Sequence, residues 1–145
     1  MKQKLLIGLL FLQLVSFAQQ RTNYKVIAYY TGSGEMIRQY PVDKLTHIIL
    51  SFLRIQNDSL TFRDDRQRLT LQQLVEMKKE YPKLKIMVSI GGWGGCAPCS
   101  DLFASPERRS TFAKTTAELF KKYDIDGLDL DWEYPVIEGF PGHKY

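Results

Sequence analysis

The feature that most constrains the fold is a series of short, apolar, β-branched runs separated by segments with helical periodicity. The runs cover residues 25–31, 46–55 and 85–90. Strands that are apolar almost throughout are typical of a parallel sheet covered on both faces. Helices are predicted over residues 66–80 and from Ser105 onward, where serine, proline and glutamate stand in the order of a helix start. This alternation predicts an α/β fold, and an open doubly wound sheet and a closed eight-stranded barrel both satisfy it.

The N-terminus has the pattern of a secretory signal peptide. Lys2 and Lys4 precede an apolar run, and small residues lead up to Ala18. A membrane anchor is the alternative, but the run holds about a dozen residues, whereas a bilayer span needs roughly 20. We therefore predict a secreted protein, extracellular or periplasmic, with a signal peptide over residues 1–18 and a mature domain over residues 19–145. No membrane partner is expected after cleavage.

The net charge of +4 does not indicate a nucleic-acid partner. Two of the positive charges belong to Lys2 and Lys4 in the predicted signal segment. The other basic residues are interspersed with acids, as in residues 63–66, which is typical of a solvated face. We therefore predict that the protein does not bind nucleic acid.

The two cysteines, Cys96 and Cys99, lie close together in a glycine-rich stretch. In an exported protein they are expected to form one small disulfide that ties the loop. A thioredoxin-like redox pair has the same spacing, but such a pair starts a helix directly after a strand. Two thiols are too few ligands for a metal, and His47 and His143 are distant in sequence.

The most informative segment is an acidic strand that follows the second helix. Because side chains alternate along a strand, Asp129, Asp131 and Glu133 share one face. Successive members of this row lie about 6–7 Å apart. Two carboxylates at close range do not easily both stay ionised, so one is expected to keep its proton. A retained proton is what a general acid needs near neutral pH.

Two other interpretations of the acidic strand remain open. It could be an edge strand with a solvated polar face, although leucine and tryptophan occupy the alternate positions. It could also hold Mg²⁺ or Ca²⁺ through oxygen ligands, but no glycine-bearing loop of the calcium type surrounds it, and no metal is predicted. Position favours catalysis, because Glu133 stands at the carboxyl end of its strand, where (β/α) barrels carry their active sites. Gly91, Gly92 and Trp93 end the preceding strand at the same edge.

These residues give the chain a resemblance to the family 18 glycoside hydrolases, the chitinase family, along nearly all of its mature length. The matching pieces are residues 26–31 and 45–52, the signature Ser89-x-Gly91-Gly92-Trp93, and the motif Asp126-x-x-Asp129-x-Asp131-x-Glu133-Tyr134-Pro135. The resemblance implies a (β/α)₈ TIM barrel, a β-1,4-linked N-acetylglucosamine substrate such as chitin or a chito-oligosaccharide, and no cofactor.

The resemblance also implies a role for each acid. Glu133 would protonate the glycosidic oxygen, and Asp131 would orient the 2-acetamido group, whose carbonyl oxygen attacks the anomeric carbon. Asp129 would share charge and protons with Asp131, and Asp126 would support the strand at its start. The substrate then supplies the nucleophile of a retaining reaction, which places this family among the exceptions to the two-carboxylate scheme.

The resemblance further assigns the substrate-binding positions, which form the pocket floor and the sugar-stacking surfaces. They are Tyr30, Phe52, Gly91, Gly92, Trp93 and Tyr134. For each aromatic residue taken alone, packing in the core is the alternative. Ser51 departs from the small apolar residue that the family usually has before Phe52.

The larger departure from the family pattern is the length of the chain. A barrel of this class takes about 250 residues, and only four of its eight strands are recognisable in this sequence. We therefore predict that residues 19–145 form the N-terminal half of a catalytic barrel and that this fragment is inactive alone. Two rival functions share the fold: an endo-N-acetylglucosaminidase acting on N-glycans, and a non-catalytic chitin-binding lectin. Such lectins generally lose the acid, whereas Glu133 is present.

Overall fold

Four parallel strands and one short antiparallel strand make up the sheet in the computed structural model, which describes residues 24–135. The strands are β1 (Ile27–Tyr30), β2 (His47–Gln56), β3 (Ser59–Thr61), β4 (Lys85–Gly91) and β5 (Gly127–Asp131). The parallel strands lie in the order β1-β2-β4-β5, and β3 pairs with the far end of β2. The four predicted strands are all present, whereas β3 was not predicted.

Within residues 24–135, three α-helices accompany the sheet: α1 (Asp65–Glu76), α2 (Cys99–Ala104) and α3 (Pro106–Tyr123). The Asp64 side chain caps α1 by accepting from the Gln67 backbone N–H at 2.8 Å. At the start of α3 the Ser105 hydroxyl accepts from the next turn, as the sequence predicted. Short 3₁₀ turns cover Met36–Gln39, Val42–Lys44 and Met77–Lys79.

The register of the strands divides the sheet into two faces. Tyr29, Ile49, Met87 and Gly127 are lateral neighbours across the four parallel strands. Asp129 lies two residues further along the same face, beside Ser89. Because side chains alternate along each strand, this face also carries Asp131, opposite Gly91. Asp129 and Asp131 therefore lie on a single face, as the alternation predicted, whereas Glu133 lies beyond the end of β5.

The opposite face forms the hydrophobic core with the helices. Ile48, Ile86 and Val88 are fully buried there, and Leu71 and Leu74 of α1 pack against the same cluster. Each aliphatic side chain of this kind stabilises the fold by roughly 1.5–3 kcal/mol. The helices thus cover one face of the sheet and leave the face with the acidic row for the site.

The predicted signal peptide, residues 1–18, lies outside the described residues. Within residues 24–135, no helix combines the length and the apolar character that crossing a membrane requires.

Candidate active site

Asp129 is held by two hydroxyl groups from neighbouring strands. Its Oδ2 accepts a 2.6 Å hydrogen bond from the Ser89 hydroxyl on β4 and a 3.1 Å hydrogen bond from the Tyr29 hydroxyl on β1. Burial, followed by the hydrogen bond to Asp129 and the charges of Asp129 and Asp131, raises the pKa of Tyr29 above its usual value. The phenol therefore stays protonated and keeps donating to Asp129.

Asp131 lies at the carboxyl end of β5, where the backbone of β4 approaches very closely. The Gly92 N–H donates to the Asp131 carbonyl at 2.9 Å. A Cβ placed on Gly91 would come within 1.9 Å of the same carbonyl oxygen, and Gly91 has a φ of +110°. Only glycine fits this contact, because any side chain would push the two strand ends apart.

Phe52 extends the wall of the site from β2. Its ring lies against Gly92, since a Cβ on that glycine would stand 2.9 Å from the ring Cε2 atom. The Phe52 side chain is half-buried. Phe52, Gly92 and Asp131 thus form one contiguous surface at the carboxyl ends of three neighbouring strands.

Glu133 lies two residues beyond the end of β5 and immediately precedes Tyr134, which belongs to an aromatic pair. The rings of Trp93 and Tyr134 are 6.3 Å apart between centroids with an interplanar angle of 75°. Trp93 is 76% exposed, while Glu133 and Tyr134 are half-buried. A large exposed indole beside a carboxyl group offers a flat surface on which the apolar face of a sugar could stack.

Tyr30 does not lie with these residues. It belongs to the hydrophobic core, is 9% exposed, and donates its hydroxyl to the Ser33 carbonyl. Its neighbour Tyr29 lies on the face of the acidic row instead, because consecutive residues of a strand point to opposite faces. This placement favours the packing role for Tyr30 that the sequence left open.

Asp126 lies at the amino end of β5, away from the strand ends that carry the other acids. It forms ion pairs with Lys78 at 2.6 Å and Lys85 at 2.9 Å, and it accepts from the Ile86 backbone N–H at 2.8 Å. Burial alone would raise the pKa of Asp126, but the bonds from Lys78, Ile86 and Lys85 outweigh it and lower that pKa. Asp126 therefore joins β5 to β4 and to the 3₁₀ turn after α1.

Cys96 and Cys99 form a disulfide in the loop that follows Trp93. Both cysteines are fully buried. The sequence predicted a loop throughout this stretch, whereas Cys99 begins the short helix α2. The disulfide thus lies between the glycine-rich end of β4 and the first turn of that helix.

Sequence reasoning missed the two hydroxyl donors to Asp129. Ser89 belongs to the Ser89-x-Gly91-Gly92-Trp93 signature. A polar residue inside an otherwise apolar strand is the signal that could have identified it. Tyr29 directly precedes Tyr30 in the strand, so the two side chains must point to opposite faces of the sheet. This alternation could have identified Tyr29. Among residues 24–135, no three His, Cys, Asp or Glu side chains come together in an arrangement that could hold a metal ion.

Parallel strands joined through helices, with acids gathered at their carboxyl ends, define the class of protein. The described residues form part of a (β/α)₈ barrel, with the site at the edge where such barrels carry their chemistry. The family model described as "Glycosyl hydrolases family 18" matches residues 25–142. The chain belongs to this family, and its segment corresponds to the N-terminal portion of the family's barrel.

Known proteins resemble the chain in both sequence and structure. An endochitinase of Manduca sexta is 33% identical over 138 residues, which is 86% of this chain and 25% of that protein. The chitinase domain of the spore coat protein CotE from Clostridium difficile matches with a TM-score of 0.71 at 31% identity, over 88% of this chain and 35% of that one. Human YKL-39, described as a pseudo-chitinase with retained chitooligosaccharide binding properties, matches with a TM-score of 0.66 at 28% identity, over 77% of this chain and 33% of that one.

Proposed function

We propose that this chain supplies the N-terminal half of the catalytic barrel of a secreted chitinase. The proposed enzyme hydrolyses β-1,4-linked N-acetylglucosamine polymers with retention of configuration. The observation that carries the proposal is that the doubly hydrogen-bonded Asp129 and Asp131 share one face of the sheet, with Glu133 just beyond the strand end and directly before Tyr134 of the Trp93–Tyr134 pair. The names of the moth and bacterial relatives support the same substrate class.

In the proposed first step, Glu133 gives its proton to the glycosidic oxygen as the bond from that oxygen to the anomeric carbon breaks. The carbonyl oxygen of the substrate's own acetamido group attacks the anomeric carbon and forms a cyclic ion. Asp131 orients the acetamido group through its N–H and balances the positive charge. The Glu133 carboxylate then takes a proton from water, which opens the cyclic ion and restores both the acid and the original configuration.

Asp129 has a different task in this scheme. Its carboxyl group accepts hydrogen bonds from Ser89 and Tyr29, and those two bonds fix its position in the row. With Asp129 held by its own partners, Asp131 is free to form hydrogen bonds with the substrate. The hydroxyls thus act on the reaction through the acids and do not contact the sugar.

Two rival functions are separable by one set of assays on the longer protein that contains this chain. We expect it to cleave a chito-oligosaccharide, with products read by mass spectrometry and the β-anomer seen first by proton NMR. Cleavage of an N-glycan core with no action on chito-oligosaccharides would instead favour an endo-N-acetylglucosaminidase. Sugar binding without turnover would favour a lectin, the behaviour named for YKL-39; the retained Glu133 argues against that outcome.

A further inference from the structure

The geometry points to Gln67 of α1 as a positioning residue that fixes the Phe52 wall of the candidate active site. The inference rests on the proposed function, because it concerns the same site. Gln67 is buried, with 7% of its surface exposed, and its side chain forms a hydrogen bond to the Phe52 backbone. Through that bond it acts on the site by way of Phe52.

Both ends of the Gln67 amide have partners from different parts of the chain. Its Nε2 donates to the Phe52 carbonyl at 3.0 Å, and its Oε1 accepts from the Arg63 backbone N–H at 2.9 Å. The orientation of the amide is fixed by this pairing, since a carbonyl needs a donor and an N–H needs an acceptor. A buried amide is stable only when such partners are present.

The capping of α1 fixes the position of Gln67. The Asp64 carboxylate accepts from the Gln67 backbone N–H at 2.8 Å, so that residue stands in the capped first turn of the helix. A helix start held in this way gives its side chains a defined direction. The Gln67 amide therefore connects a rigid helix end to the carboxyl end of β2.

From Phe52 the contacts continue directly to the acidic row. The Phe52 ring lies against Gly92, and the Gly92 N–H donates to the Asp131 carbonyl at 2.9 Å. A shift of the Phe52 backbone would move the Phe52 ring against Gly92. Gly92 is hydrogen-bonded to Asp131, the residue proposed to orient the acetamido group. Displacements of about 1 Å at a catalytic group can lower rates by up to about 100-fold.

The substitution Gln67→Glu isolates the contact to Phe52. A carboxylate has nearly the same shape and still accepts from the Arg63 N–H, but it has no hydrogen to donate to the Phe52 carbonyl. Protonation at low pH restores a donor at that position. The charged groups that line the surrounding cavity are Arg63, Asp64 and Arg66, and its other lining residues are uncharged: Thr31, Gly32, Leu50, Ser51 and Thr70.

We expect Gln67→Glu in the longer protein to lower kcat/KM for a chito-oligosaccharide by about tenfold at pH 7. Relative to wild type at each pH, the activity should recover as the pH falls and the new carboxyl is protonated. Gln72→Glu is the matched control, because Gln72 is an exposed residue of the same helix. Gln67→Met removes the donor without adding charge; we expect the same loss without recovery at low pH, and this variant replaces Gln67→Glu if that one fails to fold.

Hydrogen exchange of the backbone separates this inference from the proposed function. Both Gln67 variants should exchange faster than the Gln72 control in the segment around Gly92, which Gln67 does not touch. If the Gln67 variants exchange faster but the longer wild-type protein cleaves no chito-oligosaccharide, the positioning role stands and the proposed function is rejected. Exchange and kinetics indistinguishable from the Gln72 control would overturn the positioning role.

Discussion

At the scale of single residues, the site depends on how one half-buried acid, Asp129, is held. Asp129 takes its hydrogen bonds from hydroxyls on two other strands, Ser89 on β4 and Tyr29 on β1. Hydrogen bonds to the charged form of a carboxyl stabilise that form. The bond from Ser89 is the shorter one and the Ser89 side chain is fully buried, whereas Tyr29 is 56% exposed. We therefore expect Ser89 to contribute more than Tyr29.

Replacing Ser89 by alanine tests this contribution. Removing one partner of a buried hydrogen bond costs about 1–3 kcal/mol, which corresponds to a fall of about tenfold in kcat/KM if the position of Asp129 matters for the reaction. Steady-state kinetics of Ser89→Ala on a chito-oligosaccharide would measure the loss. Ser110→Ala, an exposed substitution on α3, is the control. Equal kinetics for the two variants would contradict a role for Ser89 in the site.

At the scale of elements, short-range patterns predicted most of the fold. Three of the four parallel strands were expected because they are apolar, β-branched runs, and the fourth, β5, was expected from the alternation of its acids with leucine. The start of α3 followed from Ser105 and the proline after it. The strand β3 was missed because its turn contains Asn57 and Asp58, which take φ values of 52° and 55° without any glycine as a signal. The helix α2 was missed because it has six residues and follows a proline.

The parts of the candidate site that lie on a single strand could be predicted from the sequence. The contacts that depend on how neighbouring strands align could not. That Asp129 and Asp131 share a face follows from alternation along β5 alone. The partners of Asp129, in contrast, are 40 and 100 residues away in sequence. Which residues meet across a sheet is set by strand order and register, and neither can be read from a single sequence without the fold. The same reason hid the contact between Gln67 and Phe52.

Asp126 provides a prediction about the start of β5. Its pKa is lowered in the folded protein, so its contribution to stability is present above the ordinary aspartate pKa of about 3.9 and is lost as the pH falls through the folded value. We expect Asp126→Asn to lower the free energy of unfolding by about 1–2 kcal/mol at pH 7. Urea unfolding at several pH values should show this difference closing below about pH 4. Asp43→Asn, at an exposed position, is the control; a difference independent of pH would contradict the ion-pair explanation.

The disulfide between Cys96 and Cys99 gives a prediction about the loop after β4. Its short loop limits the entropy that it removes from the unfolded chain, and the chain-entropy estimate is about 2 kcal/mol. We expect Cys96→Ser with Cys99→Ser to lower stability by this amount in thermal or urea unfolding. A dithiol reductant should destabilise the wild type and leave the double variant unchanged. An equal response of both proteins to the reductant would show that the bond does not stabilise the fold.

At the scale of the whole molecule, the sheet has two edges among the described residues, β1 and β5. Apolar side chains are exposed near both, with Ile27 at 53% and Leu130 at 52%. Unpaired strand edges with exposed apolar residues invite association. In a closed barrel these edges would pair with further strands, and the exposed side chains would be covered.

Residues 19–145 alone are therefore expected to show no hydrolysis of chito-oligosaccharides and to self-associate. Light scattering and a sensitive fluorogenic assay would measure the two properties, with the longer protein as the positive control. Turnover by the isolated fragment would contradict the prediction, because it would show that the first four parallel strands complete a working site.

Proton donation by Glu133 is the step on which the proposed function depends most directly, and the substitution Glu133→Gln in the longer protein tests it. The amide keeps the size of the side chain and cannot give up a proton. We predict that kcat for a chito-oligosaccharide falls by at least about 100-fold, the lower end of what a general acid contributes, while the affinity measured by tryptophan fluorescence stays within about threefold, less than the tenfold that 1.4 kcal/mol represents. A variant that cleaves the oligosaccharide at the wild-type rate would contradict the central claim.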